Sequence, residues 1–406
     1  MFHGIGRVTR IEGIALLGLA LLASCNDSYR PPPPTRAPAT PAPRPTPTPA
    51  PTPAPTARPA PPVDPMVALA ARGRHTCAKR KSGAVACWGN NSDGQLGDGG
   101  RIDQPRGVPV AGLSDMSEVT TGLAFSCARR SDGKVMCWGS NEDGQLGDGK
   151  GAKPGARGAS PVAVKGITDA TQLSSGDSHA CALRRAGTVS CWGLGGDGQL
   201  GAVTERSAQP LTIAGATQIV EIASGSNHVC ARKQSGAVVC WGRNTEGQLG
   251  DGVSGSKIKP VPVKGLQDAV ALVAGGNHTC ARRRGGSVVC WGSNSQGQLG
   301  DGTTGTFAQR TPVVVTGLTS PAELALGKEH SCARASEGQV SCWGANTSGQ
   351  LGAGSNSGHP KPTPVARLTD ATDLALGTAH SCALQSTGNV TCWGSDEHRA
   401  LGPRRL

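Results

Sequence analysis

The stretch SCARRSDGKVMCWGSNEDGQLGDG, residues 126–149, holds two cysteines ten positions apart, a Trp-Gly pair after the second, and a glycine-rich tail. The same arrangement returns along the whole chain. First cysteines stand at Cys77, Cys127, Cys181, Cys230, Cys280, Cys332 and Cys382, and second cysteines at Cys87, Cys137, Cys191, Cys240, Cys290, Cys342 and Cys392. Successive copies start 49 to 54 residues apart. A fixed period of this size marks units that bury their apolar faces only against their neighbours. A tryptophan follows every second cysteine, at Trp88, Trp138, Trp192, Trp241, Trp291, Trp343 and Trp393, which are all seven in the chain. Cys25 is the one cysteine outside the pairs.

Each unit reads as strands. In the fifth copy an apolar run, AVALVAGG (269–276), precedes HTCARR, then SVVCWG, and after a loop PVPVKG. Between the cysteines a glycine stands six positions after the first, as Gly83 does after Cys77. This fits a three-residue hairpin loop whose last residue is left-handed, a conformation that costs glycine little. The two cysteines then face each other on antiparallel neighbours. In an oxidising compartment they are expected to pair within each repeat, and closing such a loop contributes about 2–3 kcal/mol in the chain-entropy model.

A zinc site is the competing reading. His75, His179, His228, His278, His330 and His380 stand two residues before a first cysteine, on the same strand face. The second copy has Phe125 there and keeps both cysteines, so the histidine is read as a packing or hydrogen-bonding residue, and no metal or cofactor is expected. Tryptophan, adjacent to cysteine, points to the opposite face, which implies packing on the next unit, with ligand stacking as the alternative. In the W-G-x-N-x-x-G-Q-L-G tail, Asn91, Asn141, Gly195, Asn244, Asn294, Asn346 and Asp396 occupy one position. All three residue types tolerate left-handed backbone, so the position reads as a turn requirement. Asp98, Asp148, Asp251 and Asp301 recur too irregularly for a repeated calcium site.

Of 406 residues, 60 are glycine, 30 are proline and only 3% are aromatic, which favours dense turns over helices. Residues 1–24 read as an export signal: Arg7 and Arg10 precede a short apolar run ending Leu22-Ala23-Ser24-Cys25. That ending resembles the bacterial lipobox, which makes Cys25 the lipidation site and the protein an anchored envelope lipoprotein. Residues 25–62 carry PPPPTRAPATPAPRPTPTPAPTPAPTARPAPP (31–62), read as a disordered polyproline II linker reaching about 100 Å. Residues 63–406 hold the seven repeats.

The combination G-x-x-H-x-C-A, G-x-V-x-C-W-G and N-x-x-G-Q-L-G-D-G, recurring seven times between Val67 and Gly402, resembles the regulator of chromosome condensation repeat family. The resemblance implies an all-β fold, a seven-bladed β-propeller of four-stranded blades. Cysteine pairing is typical of exported bacterial members. The last copy degenerates to WGSDEHRALGPRRL, and only six proline-containing fourth strands are visible, near Pro109, Pro161, Pro210, Pro262, Pro312 and Pro364. The seventh blade is therefore expected to be one strand short unless residues 62–65 supply it.

Net charge is +12, and cations cluster at the hairpin tips: Lys79, Arg80, Lys81, Arg129, Arg130, Arg184, Arg185, Arg232, Lys233, Arg282, Arg283, Arg284 and Arg334. Such a ring is a candidate binding face for an anionic surface, or a solvated rim that keeps the protein soluble. The loops on the opposite rim vary most, where specificity on a rigid scaffold usually resides. No serine, cysteine or histidine is singled out from its counterparts, so the leading expectation is a non-enzymatic binding scaffold on a lipid-anchored stalk. Its expected partner is a protein or an anionic envelope polymer, with membrane contact through the lipid. Monomeric action is expected, and nucleic acid is not an expected partner. The alternatives are an inhibitor or sensor of a secreted enzyme, then a lyase or hydrolase, or a nucleotide-exchange factor like the eukaryotic founder.

Overall fold

The computed structural model describes residues 31–33, 64–150, 153–305, 308–318 and 320–402. The chain divides into two compact units, Met1–Ala60 and Pro61–Leu406. The export signal, Cys25 and, apart from residues 31–33, the proline-rich run lie outside the described residues.

Blade 1 shows how a repeat folds. Strands β1 (Met66–Ala71), β2 (His75–Arg80), β3 (Val85–Gly89) and β4 (Gln104–Pro109) pair antiparallel in chain order. Five further four-stranded sheets follow, at 116–163, 170–212, 219–262, 269–314 and 323–364, and a seventh at 371–394 has three strands among the described residues. First strands of successive blades touch, and that of blade 7 (Ala371–Leu376) touches β1. The ring closes as a seven-bladed propeller.

The hairpin follows the sequence reading. Arg80 N–H donates to Ala84 O at 2.8 Å and Gly83 N–H to Arg80 O at 3.0 Å, leaving a three-residue loop that ends in Gly83 at φ +86°. Cys77 lies opposite Cys87, and every equivalent pair is a disulfide with Cα atoms 4.0–4.1 Å apart, the narrow type of antiparallel pair.

The blades are joined by a repeated seam. Each indole N–H donates to a main-chain carbonyl of the preceding blade's tail, at 2.8–3.1 Å: Trp138 to Gln95, Trp291 to Gln248, and so on around to Trp88 and Ala400. Tryptophan therefore packs on the preceding unit, not on the next one. The tail approaches so closely that a Cβ on Gly250 (φ +70°) would sit 2.9 Å from the Trp291 ring.

The same carbonyl takes a second donor. Thr279 Oγ1 donates to Gln248 O at 3.2 Å, and Ser126, Ser331 and Ser381 repeat the bond in their own seams at 2.8–2.9 Å. With its proton committed, each hydroxyl accepts from Nε2 of the preceding blade's histidine: His228 to Thr279, His75 to Ser126, His278 to Ser331 and His330 to Ser381, at 2.8–2.9 Å. This bond explains Phe125, because the residue that would receive it in the next blade is Ala180. His179 faces Val229 instead of a hydroxyl, and both its ring nitrogens are buried without a partner.

The tail asparagine corrects a reading made above. Asn91 is not among the residues with left-handed backbone. Its side chain carries the position: Oδ1 accepts Leu96 N–H at 3.0 Å, and Nδ2 donates to Asp98 and to Ile102 O. Residues 62–65 also need correcting as the source of a seventh fourth strand, as far as they are described. Pro65 O accepts Lys81 N–H at 2.9 Å, the bond that Asp115 O makes with Ser131 and Asp169 O with Arg185 in the next two blades. Asp64 and Pro65 are thereby committed to leading into β1.

Burial drives the histidines to the neutral state: His75, His179, His278 and His330 are pushed down to about 3, and His380 to about 4. The unfolded chain binds protons at these sites near pH 6.5 and the native chain does not, so their contribution is complete above that pH and is lost as pH falls towards 3. His179→Phe forfeits no hydrogen bond and copies Phe125. Denaturant unfolding between pH 4 and 7 should show one proton less of linkage, a slope shallower by about 1.4 kcal/mol per pH unit, with neutral-pH stability within about 1 kcal/mol of the wild type.

Candidate functional site

The seven first strands enclose a central cavity of about 290 Å³. Equivalent positions, third in six of the strands and first in the shorter strand Glu323–Leu326, bring together Ala68, Glu118, Gln172, Glu221, Ala271, Glu323 and Asp373. These acids act as latches. Glu118 takes Arg129 Nε from its own blade at 3.0 Å and Leu173 N–H from the next at 3.1 Å. Glu221 holds Arg232 and Leu272 N–H, and Glu323 holds Arg334 and Leu374 N–H, in the same way. Gln172 makes the equivalent reach to both the N–H and the C=O of Ile222. Asp373 accepts Leu69 N–H at 2.6 Å, which closes the ring, but Leu384 stands where the arginine would be. Burial and the neighbouring Glu323, with which it shares a hydrogen bond, push Asp373 up to about 8.

One end of the cavity is corked. The turns between first and second strands are joined by a run of six main-chain bonds, at 2.9–3.4 Å, from Leu123 N–H and Asp177 O around to Thr378 N–H and Gly73 O. Six repeats place glycine at the start of this turn (Gly122, Gly176, Gly225, Gly275, Gly327 and Gly377), and the first repeat has Arg72. Its side chain is 13% exposed and spans the opening: Nε donates to Asp177 Oδ1 at 2.9 Å, Nη1 to Ser224 O at 3.0 Å and Nη2 to Gly275 O at 3.3 Å. Burial opposes ionisation of Asp177, yet the Arg72 charge and hydrogen bonds from Ser226 and Arg72 hold its carboxyl below the usual range. Around this end Thr121, Ser175 and Ser224 bury hydroxyls without partners.

The thirteen hairpin cations do not form one crown. Arg129, Arg232 and Arg334 turn inward to the latches. Arg184 pairs with Asp169, Arg283 with Asp268 at 2.8 Å, and Arg80 donates to Asp64 O at 2.8 Å. Arg130 reaches Asp115 only at 3.9 Å. Arg282 faces Ala271, so its Nε is buried unpaired, and Lys79 faces Ala68. Lys233 is half-buried. Lys81, Arg185 and Arg284 are the exposed members. On the opposite rim, the loops between third and fourth strands expose Ile102 (76%), Val203 (91%) and Val253 (49%).

Residues 157–405 match the RCC1-like domain family, and residues 67–95, 117–145 and 82–129 match the regulator of chromosome condensation (RCC1) repeat. The chain belongs to the RCC1-like domain family. Among solved structures, yeast RCC1 (Prp20) bound to Kap60 aligns with a TM-score of 0.70 at 22% identity, covering 84% of this chain and 81% of that one. Human WBSCR16 aligns at 0.72 and 22%, covering 79% and 87%. Prp20p from Saccharomyces cerevisiae, described with its binding to Gsp1p and histones, aligns at 0.69 and 21%, covering 84% of each chain. At such identities the likeness concerns the fold. No match was found among curated proteins.

Sequence reasoning missed the latches and the cork of this RCC1-like propeller. The signal for the cork was present, because Arg72 is the one residue that breaks glycine at its repeat position. Arg72→Gly should cost about 1–2 kcal/mol in denaturant unfolding, since it leaves the half-buried Asp177 without its cation. Asp373→Asn should act oppositely and with pH. The native chain keeps a proton on Asp373 that the unfolded chain releases near pH 4, so wild-type stability declines as pH rises towards 8. The variant should gain about 2–4 kcal/mol at pH 8, with the gain vanishing near pH 4 in the same assay.

Proposed function

We propose that this RCC1-like propeller is a non-enzymatic scaffold that recognises a protein through the rim carrying Ile102, Val203 and Val253. One observation carries the reading. Tryptophan, five of the six seam histidines, the inner-strand acids and seven of the thirteen hairpin cations are engaged in joining one blade to the next or in fixing the hairpins. That rim presents three aliphatics at positions that differ from blade to blade, Ile102, Val203 and Val253, among exposed polar and charged residues such as Arg101, Lys150 and Lys153. Variable loops held by a rigid frame are where recognition usually resides. Protein binding by the yeast family member agrees with this mode, though no partner is carried over. Seven disulfides point to an oxidising compartment. Among the described residues no helix is long and apolar enough to cross a membrane. Placement at a bacterial envelope through a lipidated Cys25 is part of the same proposal, supported by the Leu22-Ala23-Ser24-Cys25 ending.

Capture from envelope fractions tests the rim. Ile102→Asp and Val203→Asp together should weaken retention of a specific protein by about tenfold or more, with thermal stability unchanged. Lys81→Glu, Arg185→Glu and Arg284→Glu together should leave it intact. The reverse pattern, with retention lost on charge reversal and in high salt, would replace this reading with an anionic polymer at the hairpin rim.

A further inference from the structure

The latch between blades 5 and 6 keeps its donors and lacks its acid. In three other blades a first-strand glutamate accepts from two sides, an arginine of its own second strand and a leucine N–H of the next blade. The arginine bonds join Glu118 to Arg129, Glu221 to Arg232 and Glu323 to Arg334, at 2.6–3.0 Å. The amide bonds, from Leu173, Leu272 and Leu374, are 3.1–3.2 Å long. In blade 5 the same position holds Ala271.

Both donors remain in place. Arg282 stands opposite Ala271, as Arg129 stands opposite Glu118 and Arg232 opposite Glu221. Its Nε is buried without a hydrogen-bond partner. Leu324 takes the place of Leu374 and is 7% exposed. Gly327 N–H bonds His330 O in that ladder, and hydrogen-bonded pairs alternate along antiparallel strands. Ala325 with Cys332 is therefore the next bonded pair, and Leu324 with Ala333 is not. The Leu324 N–H is turned away from its own second strand, towards blade 5. Neither neighbouring acid is free to fill the place, because Glu221 is held by Arg232 and Leu272, and Glu323 by Arg334 and Leu374.

The position is open to solvent. The three glutamate side chains at equivalent sites are 22–26% exposed, and Ala271 is half-buried. Glu118 and Gln172 line the central cavity at the same level. The chemistry of an occupant follows from what is absent. Beyond Cβ, glutamate adds one methylene and one carboxylate, which together make the heavy-atom frame of acetate.

We propose that the latch of blade 5 is a binding site for a small carboxylate, which enters from the central channel and accepts from Arg282 and Leu324 N–H. A buried guanidinium nitrogen without a counter-charge is costly, and charge-assisted bonds favour a carboxylate over water there. The occupant fastens blade 5 to blade 6, so the ring gains stability with carboxylate concentration. Blade 1 has the same deletion at Ala68, but Lys79 opposite it is half-buried on a flexible stem that carries its ammonium to water.

The test adds isotope-labelled acetate to the full chain near neutral pH, exchanged for chloride at constant ionic strength. Titration by NMR should show a single saturable site, half-filled at about 1 mM, and the thermal midpoint should rise over the same range. Arg282→Met keeps the stem, breaks no existing bond and should leave the circular dichroism spectrum unchanged. It should weaken acetate binding about tenfold or more. Ala271→Glu supplies the carboxylate from the chain itself, and should abolish acetate binding while raising the thermal midpoint in chloride alone. Lys79→Met should leave acetate binding intact. A response to acetate no greater than that to chloride overturns the proposal, as does acetate binding that survives Ala271→Glu.

Discussion

The backbone carbonyl of the tail glutamine holds the propeller together. It accepts an indole N–H and a hydroxyl from the following blade, and that hydroxyl in turn accepts from the histidine of the blade that supplies the carbonyl. A four-stranded sheet of this composition cannot bury its own faces, so each seam supplies the core that neither blade has alone. The acceptor is main chain, which is why the last repeat can put Ala400 in the place of glutamine and still receive Trp88. Arg399 takes the place of the preceding glycine at φ +63°, so the seventh seam is closed at the cost of one left-handed non-glycine residue, about 1 kcal/mol.

Disulfide and seam act on different parts of the problem. The cystine fixes second strand to third inside a blade, where hairpin contacts already favour pairing, and it stabilises chiefly by restricting the unfolded chain. The seam and the latches act between blades, where the chain gains nothing until the neighbour is folded. The latches also account for part of the cation cluster at the hairpins. Three of the arginines that look like surface charge are counter-ions of Glu118, Glu221 and Glu323 on the inner strands.

What could be read from the sequence was whatever recurs seven times. The cysteine spacing, the hairpin glycine and the tryptophan gave the blade, its pairing and its period, because a repeated residue reports a repeated local geometry. Interactions between blades were hidden. Glu118 and Arg129 are eleven residues apart, yet the meaning of the pair depends on Leu173 in another repeat. The tail asparagine was misread for a related reason. Its residue types suit a left-handed turn, but its amide is used to bind Leu96, Asp98 and Ile102, and a side-chain role of that kind leaves no trace in backbone preference.

In so regular a frame, departures from the repeat are informative because the frame itself supplies six controls for each. Arg72 is set against six glycines that would each strike a histidine or phenylalanine ring if they carried a side chain, and in blade 1 the glycine moves one place on, to Gly73. The result is a channel sealed at one end by a guanidinium contributed by one blade and held by three others. Asp373 is set against three acids with arginine partners: Leu384 stands in the arginine's place, so Asp373 shares a hydrogen bond with Glu323 and keeps its proton where the other acids hold a cation.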